Sequence, residues 1–191
     1  MTDTAQTMNT PALLIRPSTL ADLPAITAIY AHAVLHGTGT FEIEAPDEAE
    51  MARRRDDVLS KGLPWLVAQA GDQVLGYAYA NHFRPRRAYR FCLENSIYLA
   101  AQTRGQGLGR LLLTELVGRC EAAGARQMLA VIGDADNAGS IGVHAALGFE
   151  HCGVLKAAGW KFDRWLDVVL MQRSLGHGHA RPAPASDGLP T

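Results

Sequence analysis

The sequence predicts an α/β domain, one central sheet flanked by helices. Segments of strand and helix periodicity follow one another in the order strand, two helices, three strands, helix, strand, helix, two strands. A glycine-rich turn joins the end of one strand to an amphipathic helix. Met128 to Ile132 is a continuous apolar run, the pattern of a strand covered on both faces. With 191 residues and a net charge of −1, the chain can bury a proper core and has no electrostatic bias towards nucleic acid or an anionic membrane. The domain is expected over 13–175, between a flexible leader at 1–12 and a disordered tail at 176–191.

Leu13 to Pro17 reads as a strand stopped by proline. Ser18 or Thr19 can cap the next helix, whose apolar face is Leu23, Ile26, Ala28, Ile29, Ala33 and Val34, and Gly37-Thr38-Gly39-Thr40 ends it. Phe41 to Pro46 is extended, and Asp47 to Ser60 is a charged helix with Met51, Val58 and Leu59 facing inward. Trp65 to Ala68 and Val74 to Ala80 form a hairpin about Gly71-Asp72. A basic loop, His82 to Tyr89, precedes a strand whose alternation puts Phe91, Leu93, Ile97 and Leu99 on one face and Cys92, Glu94, Ser96 and Tyr98 on the other. After the glycine turn, Leu108, Leu112, Leu113, Leu116, Val117 and Cys120 form a helical stripe. Beyond the Met128–Ile132 strand, Asp134 to Asn137 caps a helix over Ala138–Leu147, ended by Gly148; Glu150–Leu155 and Leu166–Met171 are the last strands.

Cys92, Cys120 and Cys152 are widely separated, without zinc spacing, and read as buried free thiols; His177 and His179 in the tail do not make a metal site, so no metal is predicted. No apolar run reaches the ~20 residues of a membrane span. The N-terminus lacks a signal-peptide pattern, and a cytoplasmic protein is the expectation.

In the turn Gln102-Thr103-Arg104-Gly105-Gln106-Gly107-Leu108-Gly109 the glycines stand at a helix start, where first-turn N–H groups lack helical partners and can point at an anion. On spacing alone, a plain strand-to-helix connection and a phosphate cradle are equally good readings. It is neither a P-loop, since no Lys-Ser or Lys-Thr follows, nor a Gly-x-Gly-x-x-Gly dinucleotide site. It does resemble Arg/Gln-x-x-Gly-x-Gly/Ala, the acetyl-CoA pyrophosphate motif of the GNAT N-acetyltransferase superfamily, with Arg104, Gly107 and Gly109 in the key places. Ile15-Arg16-Pro17, Thr40-Phe41-Glu42, Gly76 to Ala80, Arg86 to Tyr89, Glu94-Asn95-Ser96-Ile97-Tyr98, His144 to Phe149 and Ala158 to Val168 are similar to the phosphinothricin and methionine sulfoximine N-acetyltransferase branch. The sequence departs from the herbicide-detoxifying members at Gly133-Asp134-Ala135-Asp136-Asn137, where they carry a shorter, proline-containing segment. It departs again at Phe83-Arg84-Pro85-Arg86, where they carry Trp-Lys-x-Arg.

The resemblance implies the GNAT fold, a mixed, mostly antiparallel, twisted sheet flanked by helices. It also implies a homodimer and direct acetyl transfer from acetyl-CoA to the α-amine of a small amino-acid-like substrate. An amine is largely protonated near pH 7, and on the family pattern Glu94 is the base that takes its proton, directly or through water; on residue type alone Glu94 reads as a structural or solvated carboxylate. His144 matches a family histidine where many relatives carry a tyrosine acid, which implies protonation of the leaving thiolate; a lone helical histidine is otherwise a core or surface residue. Ile97, Tyr98 and Leu99 are implied to supply the oxyanion N–H and the edge for the pantetheine arm. Arg104, Gly105, Gln106, Gly107, Leu108 and Gly109 would take the pyrophosphate, and Asn137 and Ser140 would start the helix under the cofactor. Arg84 and Arg86, two residues apart in an extended loop, with Tyr89, form a clamp for an acidic group or else a solvated basic surface. Phe41 lines the pocket, whereas Phe83 and Phe91 are assigned to neither pocket nor core. Acetylation of another amine (a polyamine, an aminoglycoside or a protein N-terminus) and a non-catalytic acyl-CoA-binding module are the rival readings.

Overall fold

The structure, a computed structural model, describes residues 12–183; positions 1–11 of the leader and 184–191 of the tail lie outside the described residues. Strands β1 (Leu13–Pro17), β2 (Trp65–Ala70), β3 (Gln73–His82), β4 (Cys92–Leu99), β5 (Gln127–Gly133), β6 (Glu150–Lys161) and β7 (Arg164–Ser174) make one seven-stranded sheet in the order β1-β2-β3-β4-β5-β7-β6. Only β4 and β5 pair in parallel; every other pair is antiparallel. Helices α1 (Leu23–His36) and α2 (Glu48–Ser60) cover the face that carries Tyr77, Tyr79 and Tyr98. Helices α3 (Leu108–Ala122) and α4 (Ala138–Ala146) cover the opposite face, where Gly76 meets Leu112 and Asn95 meets His144.

Thr19 and Asp22 form a capping box on a 3₁₀ turn that leads into α1, and two hydrogen bonds from Arg16 (2.8 and 2.7 Å) hold the buried Asp22 carboxyl down at about 2. Asp47 caps α2 by accepting from Glu50 N (2.8 Å). The predicted α3 stripe is buried throughout. On α1, Ala28 is exposed and the inward place is taken by Tyr30, whose ring meets Tyr98 edge-on at 4.8 Å. On α2, Leu59 is 38% exposed, while Arg55 is buried, its guanidinium donating to Ser18 Oγ (2.8 Å) and Ser18 O (2.7 Å). A charged residue satisfies the core there because both its stem and its donors are used.

Two further expectations change. The last hairpin is longer than the predicted segments: β6 reaches Lys161 and β7 begins at Arg164, about a Phe162-Asp163 turn with φ of 53° and 55°. A register shift between Leu155 and Gly159, with Ala157 at φ 49°, breaks the period-two alternation that identifies a strand. Of the cysteines, Cys120 is buried and Cys92 half-buried, but Cys152 is exposed, because it lies on the outer strand β6. The described part of the tail turns back on the domain, with Gly178 N–H donating to Leu175 O (2.8 Å) and Arg126 donating to Pro182 O (3.2 Å). Among the described residues no helix is long and apolar enough to cross a membrane.

Candidate active site

The site begins where β4 and β5 part. Their pairing runs from Cys92↔Gln127 to Asn95↔Ala130 and stops, although β4 continues to Leu99 and β5 to Gly133. Phe83 N donates to Cys92 O (3.1 Å) and Ala100 N to Leu75 O (2.9 Å), so the even-numbered residues of β4 turn their main chain towards β3. Phe91 O accepts from Arg126 N and Gln127 N on the other side. Alternation therefore points the N–H and C=O groups of Ile97 and Leu99 into the gap, where β5 no longer pairs them. The Tyr98 side chain faces away, into the cluster with Tyr30 and Tyr77, and burial there raises its hydroxyl well above its ordinary value.

The glycine turn borders this gap. Gly105 (φ 76°) and Gly107 (φ 80°) adopt left-handed backbone, and Gly107 is the N-cap of α3. Arg110 N and Leu111 N fold back on Gly107 O (3.1 and 3.2 Å), while the amides of 105–109 donate to no acceptor among the described residues. Thr103 Oγ braces the turn on Leu75 O (3.1 Å) and Ala100 O (2.9 Å), and Gln106 Nε2 donates to Gln102 O (3.0 Å). Arg104 and residues 105–107 are exposed, whereas Leu108 and Gly109 are buried, Gly109 against Leu99 and Val143. Open amides at the positive end of a helix dipole, beside a free strand edge, fit a phosphorylated ligand with an amide-containing arm.

Glu94 stands on the β4 face opposite to Asn95, directly across from Asn81 on β3. Burial raises its pKa, and the nearby positive charge of Arg84 partly offsets that. The adjoining Cys92 thiol is pushed up to about 11 by burial and then by the Glu94 charge. Arg84 lies over the Phe83 ring (4.5 Å), which meets Tyr89 edge-on at 5.9 Å; Tyr89 is 40% exposed. The loop is bent over 83–86 and enters a 3₁₀ turn at Arg87–Tyr89, so the alternation that would aim Arg84 and Arg86 together does not hold. Arg84 and Arg86 are both exposed, and Arg86 closes the turn through its carbonyl, which accepts from Tyr89 N (2.8 Å).

His144 is buried; Nδ1 lies 2.8 Å from Ser140 O and Nε2 lies 2.9 Å from Asn95 Oδ1, two acceptors of which a neutral imidazole can donate to one. Asn95 Nδ2 donates to Leu129 O (2.9 Å) at the last paired step before the strands part. This chain ties α4, β4 and β5 together and seats His144 beside the point where β4 and β5 part. Burial lowers the imidazole pKa and the Ser140 carbonyl raises it. Asn137 spends its side chain on the α4 cap, Oδ1 accepting from Ser140 N (3.2 Å) and Nδ2 donating to Gly133 O (3.4 Å).

Phe41 is half-buried, and its ring lies so close to Gly159 of β6 that no Cβ fits there; Gly133 is packed as tightly on Thr38 O. Asn95, Gly133, Gly159 and Lys161 were not indicated by the sequence pattern. Nothing local marks them, since their partners lie far away in the chain. Among the described residues no group of His, Cys, Asp and Glu could hold a metal ion.

The profile of the Acetyltransferase (GNAT) family matches residues 28–149. The chain is 57% identical over 157 residues to a phosphinothricin N-acetyltransferase of Alcaligenes faecalis, covering 82% of this chain and 80% of that one. It is 41% identical over 169 residues to an L-methionine sulfoximine/L-methionine sulfone acetyltransferase of Pseudomonas aeruginosa, covering 88% and 98%. A GNAT superfamily phosphinothricin acetyltransferase from Sinorhizobium meliloti, crystallised with AcCoA, superposes with a TM-score of 0.90 at 50% identity, over 93% of this chain and 97% of that one. With the parted strands, the open glycine cradle and these matches in agreement, the chain belongs to the GNAT family and is an N-acetyltransferase.

Proposed function

We propose that the enzyme transfers acetyl from acetyl-CoA to the α-amine of a small amino-acid analogue of the phosphinothricin or methionine sulfoximine and sulfone type. The observation that carries this reading is the half-buried Glu94 carboxylate on β4, whose pKa burial raises and the nearby Arg84 charge partly lowers: a base able to take a proton, near a guanidinium able to hold an acid group. An amino acid offers both groups on one carbon. The residues present suit the cosubstrate: the amides of 105–109, with Arg104, would hold its pyrophosphate, and the main chain of Ile97 and Leu99 would pair its amide arm and steady the oxyanion. Acetyl-CoA supplies the activated thioester. Phe41 and Tyr89 flank the acceptor end, and Arg86 stands at its rim. Asn137, Ser140 and His144 act through the start and seat of α4.

The exposed side of the outer hairpin carries Val154, Leu155, Trp160, Phe162 and Trp165, an apolar surface on a long sheet edge that suits a second copy, and we read the enzyme as a homodimer. Three free thiols with no disulfide suit the cytoplasm.

The test is thiol release from acetyl-CoA with phosphinothricin, methionine sulfoximine, methionine sulfone, their carboxamides and a polyamine. Amino acids with a free carboxylate should give the highest kcat/KM, and Arg84→Ala should lose that preference. A polyamine as best substrate would remove the amino-acid reading.

A further inference from the structure

We infer that Lys161, with Gly159, is a positioning residue that sets where Phe41 stands and so fixes the acceptor end of the site. This rests on the proposal that Phe41 lines that end.

Lys161 is 4% exposed, and its ammonium donates to Gly37 O (2.9 Å) and Thr40 O (2.8 Å), carbonyls that bracket the turn leading into Phe41. Among the described residues no carboxylate pairs directly with it; it lies over the Phe162 ring (5.1 Å), Glu42 acts on it through its field, and burial lowers its pKa. A buried ammonium without an ion pair is costly to keep, and the carbonyls it satisfies would otherwise be left without a donor. Two residues earlier, Gly159 lets the Phe41 ring lie directly on the β6 backbone, and Gly133 at the end of β5 does the same for Thr38 O. From the helix side, Tyr30 OH donates to Glu42 Oε1 (2.8 Å), and Arg54 donates to both Glu42 oxygens (2.7 and 3.2 Å). The segment 37–42 is thus held at both ends, and Lys161 is the tie on the sheet side. Its position follows from the Phe162-Asp163 turn, whose two positive φ angles are costly for residues other than glycine and hold only where surrounding contacts enforce them.

The experiment compares Lys161→Met, Lys161→Arg and Gly159→Ala with the parent, by hydrogen exchange of the 37–44 amides and by steady-state kinetics. Lys161→Met should speed exchange in 37–44 and raise the acceptor KM by roughly tenfold or more, as expected for lost hydrogen bonds to a charged group. The acetyl-CoA KM should stay within about twofold, because the cradle is untouched. Lys161→Arg should recover part of both effects by retaining the charge and donors. Gly159→Ala should raise the acceptor KM without altering the ammonium. Unchanged exchange in 37–44 for a folded Lys161→Met protein would overturn the inference, as would equal losses for acceptor and acetyl-CoA. If Lys161→Met fails to fold, unchanged acceptor KM and exchange in both other variants would overturn it. If the parent acetylates no amino-acid analogue, the substrate reading fails, while the exchange measurement still decides the tie.

Discussion

Two opposing influences act on the Glu94 carboxyl. Burial disfavours the Glu94 carboxylate and raises its pKa; the Arg84 charge favours it and lowers the pKa. A general base works only when ionised, so the acid limb of the kcat/KM profile should lie above the ordinary carboxylate range. In Arg84→Ala the lowering influence is gone, and that limb should move to higher pH. Glu94→Gln should cost roughly 10²-fold in kcat near neutral pH and abolish the limb. The deficit should shrink at high pH, where free amine becomes abundant; pH–rate profiles of the three proteins check this. The strand that carries Glu94 was legible from its alternation, but the base role came from the family resemblance; Arg84 was singled out by its residue type. The bend at 83–86 was not legible, because an extended loop was assumed between His82 and Tyr89.

At the scale of elements, α3 and the β6–β7 hairpin contrast. The α3 stripe and its glycine N-cap were readable because helical spacing and capping are local. The hairpin was read short because its bulge and positive-φ residues erase alternation. Asp163 at φ 55° occupies a position that glycine adopts without cost. Asp163→Gly should therefore stabilise the protein by about 1 kcal/mol, the lower end for a residue held in left-handed backbone. Thermal unfolding measures it, and acceptor KM should not rise if the turn is what holds Lys161 in place.

For the whole molecule, the outer strand is the open question of the surface. Trp160 and Trp165 are 54% and 62% exposed, and their rings meet at 5.2 Å across the hairpin. If a second copy covers them, Trp165→Glu should shift the protein to monomer in sedimentation velocity, and the parent should stay dimeric at the same concentration. The amino-acid sequence by itself determined the order of elements, the apolar faces of most of them and a glycine turn at a helix start, while the family resemblance, and not spacing, gave that turn and Glu94 their roles. The elements and their faces follow from spacing within one turn or one strand. Only the tertiary structure decided that β5 stops pairing with β4 before Ile97 and Leu99, that His144 stands against Asn95, and that Lys161 reaches Gly37. Those facts depend on where β5 diverges from β4 and on contacts between residues 49 and 124 positions apart, and such contacts leave no periodic trace in the chain.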